Sequence, residues 1–124
     1  MSNNRTILVA DDEQMLRRAL SRVLSRAGFS AIVAEDGQQA IDIFAQQSSE
    51  IDLVVLDMNM PIKNGVQAFY GIRELDPTMK IVIASGESRN EVLAQFGVDK
   101  PNGILQKPFV LGKLVAEINY FLTA

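Results

Sequence analysis

Residues 52–61 read Asp-Leu-Val-Val-Leu-Asp-Met-Asn-Met-Pro, and the unbroken aliphatic run from Leu53 to Leu56 decides the fold class. A strand with one wet face alternates apolar and polar side chains. A run without alternation belongs to a strand buried on both faces, as in a parallel sheet layered between helices. Working outward, Ile7 to Ala10, Ala31 to Ala34, Ile81 to Ala84 and the shorter Ile104 to Leu105 share this character. Segments of helical period separate them, so the pattern predicts a doubly wound α/β sheet of five parallel strands and five helices.

The first helix is predicted over Gln14 to Arg26, burying Leu16, Leu20, Val23, Leu24 and Ala27 and stopping at Gly28, which tolerates the left-handed cap. Its outer face is predicted to carry Arg17, Arg18, Arg22 and Arg26. The second starts at Asp36, with Gln39 at the capping-box position, and buries Ala40, Ile41 and Phe44. The third runs from about Val66 to Leu75, where Asp76-Pro77 ends it. The fourth is predicted to be short, Asn90 to Phe96, because Gly97, Pro101 and Gly103 interrupt the pattern. The fifth, Val110 to Leu122, sets Leu111, Leu114, Val115, Ile118 and Leu122 on one stripe. A chain of 124 residues, 48% hydrophobic and 22% charged, suits a single domain over residues 1–124.

Composition closes off whole classes of chemistry. Without Cys there are no disulfides or thiolate metal sites, so a metal must be held by oxygen ligands. Without His, an imidazole needed for the chemistry must come from another molecule. The net charge of -3 argues against direct nucleic-acid binding. No apolar run approaches a membrane span, and the opening Met1-Ser-Asn-Asn-Arg lacks signal-peptide order, so a cytoplasmic protein with no membrane partner is expected. That opening suggests a natural beginning, whereas nothing similar marks the end at Thr123-Ala124.

In such sheets ligands bind beyond the carboxyl ends of the strands. There the first strand is followed by Asp11-Asp12-Glu13, the third by Asp57 and Asn59, the fourth by Ser85-Gly86-Glu87 and the fifth by Lys107-Pro108. Any one of these alone is an ordinary helix cap or loop charge. Together they place several carboxylates in one crevice, an arrangement that requires a cation. Oxygen-only ligands select Mg²⁺ or Mn²⁺. With Lys107 as a second positive charge, the crevice forms an electrostatic clamp for a phosphoryl group, and a carboxylate is available as nucleophile.

These residues carry a resemblance. Ile-Leu-Val-Ala-Asp-Asp-Glu, Asp-Leu-Val-Val-Leu-Asp-Met-Asn-Met-Pro with Gly65, then Ser85, then Gln-Lys-Pro-Phe resemble the receiver domains of bacterial response regulators, over about residues 5–122. The resemblance implies a flavodoxin-like three-layer sandwich with strand order 2-1-3-4-5. It implies that Asp57 is the phosphoacceptor in a two-component phosphorelay, taking its phosphoryl group from a sensor histidine kinase or histidine phosphotransfer protein. Asp12, Asp57, the Asn59 backbone carbonyl and, mostly through water, Asp11 would hold Mg²⁺. Ser85 would bond the phosphoryl oxygen after transfer and Lys107 would pair with it, across a cis Lys107-Pro108 bond. The domain would catalyse only its own phosphorylation and dephosphorylation, with Asn59 and Glu87 tuning the latter. Arg18 and Arg22 would dock the kinase, and a downstream protein or output domain would read the switched surface.

Two features depart from the receiver pattern. Ile104 stands where most receivers place a switching Tyr or Phe, and residues 96–103 trade the end of the fourth helix for a loop. An altered output face and a monomer are therefore expected. Two rivals share the nucleophile or the fold. A Mg²⁺-dependent phosphohydrolase of the haloacid dehalogenase type usually carries a second Asp where this chain has Asn59. A flavodoxin-like cofactor binder needs a phosphate-cradling loop where this chain has Asp11-Asp12.

Overall fold

The computed structural model describes residues 4–124, so residues 1–3 of the polar opening segment lie outside the described residues. Among the described residues the run at 53–56 becomes β3 (Leu53–Asp57), flanked in the sheet by β1 (Thr6–Ala10) and β4 (Ile81–Ser85), with β2 (Ser30–Ala34) and β5 (Gly103–Gln106) at the edges. All four pairings are parallel, in the order β2-β1-β3-β4-β5. The intervening helices are α1 (Gln14–Arg26), α2 (Gly37–Gln47), α3 (Gly65–Leu75), α4 (Arg89–Leu93) and α5 (Leu111–Thr123). None of the described helices is long and apolar enough to cross a membrane.

Both faces of the sheet are buried along β1, β3 and β4, as the absence of alternation requires. The edge strand β2 departs from that expectation, with Val33 40% exposed because no strand or helix among the described residues covers it on the outer side. Leu8, Val54, Leu56, Ile81 and Ile83 pack with Phe44, Phe69 and Ile72 of α2 and α3. Their neighbours Ile7, Val9, Leu53, Val55 and Val82 pack with Leu20, Leu24, Leu114 and Ile118 of α1 and α5. The register lines up Val33, Val9, Val55 and Val82 across the sheet and ends on Gly103. A Cβ there would lie 2.1 Å from Phe121 Cε1, so the glycine lets α5 close onto the edge.

Local signals act largely as expected. Gly28 takes φ 93 beyond α1. The Asp36 carboxylate accepts the Gln39 amide at 2.7 Å, although Gln39 Oε1 returns to the Glu35 amide rather than to that of Asp36. Asn64 and Gln67 form a full capping box at α3.

Three sequence expectations need correction. Arg17 is not on the outer face of α1. It shares the stripe of Leu20 and Leu24, three and seven residues on, and is 8% exposed. Leu111 is exposed rather than part of the α5 stripe, because the first turn of α5 lines a pocket with Leu16, Lys107 and Phe109 instead of the core. The fourth helix covers Arg89–Leu93, not Asn90 to Phe96. Ser88 caps it by accepting the Glu91 amide, and after Leu93 the chain tightens to three-residue spacing, Gln95 N to Val92 O and Phe96 N to Leu93 O.

The following loop is fastened to α3. The Tyr70 hydroxyl donates to the Asp99 carbonyl and accepts the Gly97 amide, while Arg73 bonds Asp99 and Asn102.

Two backbone features border the end of β3. A Cβ on Gly65 would lie 2.7 Å from the Asp57 carbonyl oxygen, so Gly65→Ala should destabilise by about 1–3 kcal/mol, read as a lower urea midpoint at unchanged slope. Ile62 holds φ 68 inside a tight turn closed by Lys63 N to Pro61 O at 2.7 Å. Ile62→Gly should raise the melting temperature, against the usual direction of such a change, because relief of the left-handed strain outweighs the entropy cost of glycine.

Candidate functional site

β1 and β3 lie side by side where the strand order reverses, and their carboxyl ends deliver the central acids. Asp57 is the last residue of β3 and only 6% exposed. Asp11 follows β1, continues the ladder through its amide to the Ala34 carbonyl at 3.1 Å, and is 2% exposed. Asp12 is exposed. One carboxylate oxygen from each of Asp11, Asp12 and Asp57 can be chosen so that all lie within 4.8 Å of one another.

Lys107 reaches this cluster from β5, across the end of β4. Its amide bonds the Ser85 carbonyl at 2.8 Å, and its Nζ lies 2.8 Å from Asp11 Oδ2 and 3.0 Å from Asp57 Oδ1. The Lys107-Pro108 bond is cis. Burial is the main cause that pushes the Asp57 carboxyl above its usual range; the Lys107 hydrogen bond opposes this and the Asp11 charge adds to it. Burial pulls the Lys107 ammonium down, but its hydrogen bonds to Asp11 and Asp57 outweigh that and leave it raised.

The donor set fits a hard divalent cation. It is made of carboxylate oxygens alone, which suit Mg²⁺ or Mn²⁺. Asp11 is already engaged through both oxygens, Oδ1 by the Glu13 amide at 2.9 Å and Oδ2 by Lys107. Asp12 and Asp57 are the freer donors.

The remaining predicted residues are not all brought to the cluster. Ser85 is 1% exposed and its Oγ accepts the Glu87 amide at 3.0 Å. Asn59 is exposed on the loop after β3. The Glu87 carboxylate accepts from Gln95 Nε2 at 3.2 Å. Ile104 is half-buried against the core that holds Phe69, Val92 and Phe96. Arg18 and Arg22 line a separate groove between α1 and β2 that contains none of the clustered acids or Lys107.

Sequence reasoning gave no role to Arg17 or Gln106. The Arg17 guanidinium donates to the Asp11 carbonyl at 2.7 Å and pairs with Glu35 at 3.3 Å, anchoring the loop that carries Asp11 and Asp12. Its place on the Leu20 stripe was the available signal. Gln106 Nε2 donates to the Ser85 carbonyl at 3.2 Å and the Glu87 carbonyl at 2.7 Å, binding the loop after β4 to β5.

The chain matches the response regulator receiver domain family over residues 7–119. It is 38% identical over 118 residues to the transcriptional regulatory protein CpxR of Escherichia coli K12, covering 94% of this chain and 48% of that protein. It is 33% identical over 109 residues to the autoinducer 1 sensor kinase/phosphatase LuxN of Vibrio harveyi, covering 88% of this chain and 12% of that protein. The chain therefore spans about half the length of the first relative and a small part of the second. The solved structure of a response regulator receiver protein from Sinorhizobium medicae WSM419 is similar at TM-score 0.82 and 35% identity, over 98% of this chain and 97% of that one.

The raised Asp57 carboxyl sets a pH dependence. An acid whose folded pKa lies above its unfolded value binds more protons in the folded state, so stability falls as pH rises from the ordinary carboxyl value of 3.8 through the folded value. Asp57→Asn should therefore be at least as stable as the parent at pH 7 in metal-free buffer. Its advantage should shrink as pH falls toward 3.8, read from urea midpoints across that window.

Proposed function

Because the chain belongs to the response regulator receiver domain family, a signalling family of two-component systems, we propose that Asp57 accepts a phosphoryl group from a phosphohistidine of a sensor histidine kinase or histidine phosphotransfer protein. The observation that carries this is the cluster itself: carboxylate oxygens of Asp11, Asp12 and Asp57 within 4.8 Å, with Lys107 bridging Asp11 and Asp57.

An Asp57 carboxylate oxygen attacks phosphorus, the bond from phosphorus to the donor imidazole nitrogen breaks, and that nitrogen keeps the electron pair; with the other ring nitrogen of the donor already protonated, the leaving group is neutral imidazole. The His-free composition requires the donor to be another molecule. Held by Asp12, Asp57, the Asn59 carbonyl and, through water, Asp11, Mg²⁺ or Mn²⁺ would offset the charge on the phosphoryl oxygens. Lys107 supplies a fixed positive charge at the same place and pairs with the phosphoryl group once it has arrived. Ser85 Oγ, which accepts the Glu87 amide, keeps its own hydrogen to donate to a phosphoryl oxygen.

Movement of Ser85 carries the loop after β4 with it, because Gln106 holds both Ser85 and Glu87. The half-buried Ile104 fills or vacates the space beneath, and a downstream protein or output domain reads the altered surface. Residues 1–124 act as one receiver domain and as a monomer, and the reaction is confined to the domain's own phosphorylation and dephosphorylation. Asn59 and Glu87 border the approach to Asp57 and orient the water that removes the phosphoryl group.

Radiolabelled acetyl phosphate should label the protein only with Mg²⁺ or Mn²⁺ present and not label Asp57→Asn; persistent labelling of that variant would sink the assignment. The combined Asn59→Ala and Glu87→Ala variant should hold its phosphoryl group longer in a phosphate-release assay, and an unchanged lifetime would remove those two residues from the mechanism. Millimolar Mg²⁺ should raise the melting temperature of the parent and raise that of Asp12→Asn less.

A further inference from the structure

Arg18, Arg22 and Arg26 recur every four residues along α1 and are exposed. Among the described residues none of them has an ion-pair partner. They form one wall of a groove of about 730 Å³ with Ser21 and Ser25, and Val33 of β2 lies across from them, 40% exposed. β2 is an edge strand paired only with β1, so its outer backbone groups have no strand partner among the described residues. Arg17, at the upper end, is already satisfied by the Asp11 carbonyl and Glu35 and does not belong to the free row.

A row of cations in an acidic chain beside an open strand edge is complementary to one kind of occupant. We propose that an extended acidic polypeptide segment adds to the free edge of β2 and places alternate carboxylates against Arg18, Arg22 and Arg26. The spacings agree. Four residues of helix advance about 6 Å. Alternate residues of a strand advance about 6.6–6.8 Å. A strand added beside β2 turns every second side chain toward the α1 face, where Val33 already points with its register partner Val9.

Nucleic acid fits less well, because the row is three cations long on a chain of net charge -3 and borders Glu35. A membrane surface fits less well because Val33 is the one exposed large aliphatic residue in the groove. Arg18 and Arg22 then serve this segment rather than the kinase to which the receiver resemblance assigned them.

The test is a fluorescein-labelled decapeptide of alternating Glu and Thr, titrated with the whole chain at low salt and followed by anisotropy. Saturable binding should weaken at least tenfold in the Arg18→Glu, Arg22→Glu, Arg26→Glu variant, whose fold is checked by circular dichroism. It should also weaken when Pro replaces the peptide's two central residues, since one of them must offer an amide to β2 whichever register is used. Amide resonances of Ala31 and Val33 should shift on binding. Absence of saturation, indifference to the arginine reversals, or equal binding by the proline peptide would each overturn the proposal. So would tighter binding of single-stranded DNA of equal charge or of anionic vesicles.

Discussion

The contact on which the site depends is the Lys107 ammonium placed between the Asp11 and Asp57 carboxylates. Two nearly inaccessible acids at the ends of adjacent strands repel each other, and burial deprives each of the water that would screen the repulsion. A fixed cation makes that juxtaposition tolerable, and it comes from the far edge of the sheet, across the end of β4. The parallel order brings the ends of β1, β3, β4 and β5 to one rim, so the fold assembles a charge pattern that no local segment contains.

The same arrangement links the site to its surroundings through few bonds. Ser85 lies under Lys107 through the Lys107 amide, and Gln106 fastens Ser85 and Glu87 to β5. Beyond them the shortened α4 leads into a loop held on α3 by Tyr70 and Arg73. The loss of helix is thus replaced by side-chain bonds to α3, and the segment is a defined surface. On the other flank Arg17 ties the backbone of Asp11 to Glu35, so the loop that carries Asp11 and Asp12 is braced against the end of β2.

Most of the candidate site was legible in the sequence because of one topological regularity. Once Leu53 to Leu56 is recognised as a strand buried on both faces, chemistry is sought after each strand, and Asp11, Asp12, Asp57, Ser85 and Lys107 all fall there. Arg17 and Gln106 escaped the same reasoning for opposite reasons. A charged residue on an apolar stripe is ordinarily assigned to solvent, and burial of Arg17 depends on the Asp11 carbonyl standing where its guanidinium arrives. Gln106 lies within the recognised Gln-Lys-Pro-Phe motif, but its partners are carbonyls, which no sequence pattern marks.

By itself the sequence determined the class of sheet, the count and approximate limits of its elements, and the inventory of acids and the lysine at the strand ends, because these follow from short-range periodicity and composition. Tertiary structure decided which of those groups touch. The Lys107 contact with Asp11 joins residues 96 apart, the Tyr70 and Arg73 staple joins α3 to a loop more than twenty residues away, and Arg18 and Arg22 face the β2 edge rather than the acidic cluster. Such contacts depend on how helices pack across a sheet, which is a property of the whole chain.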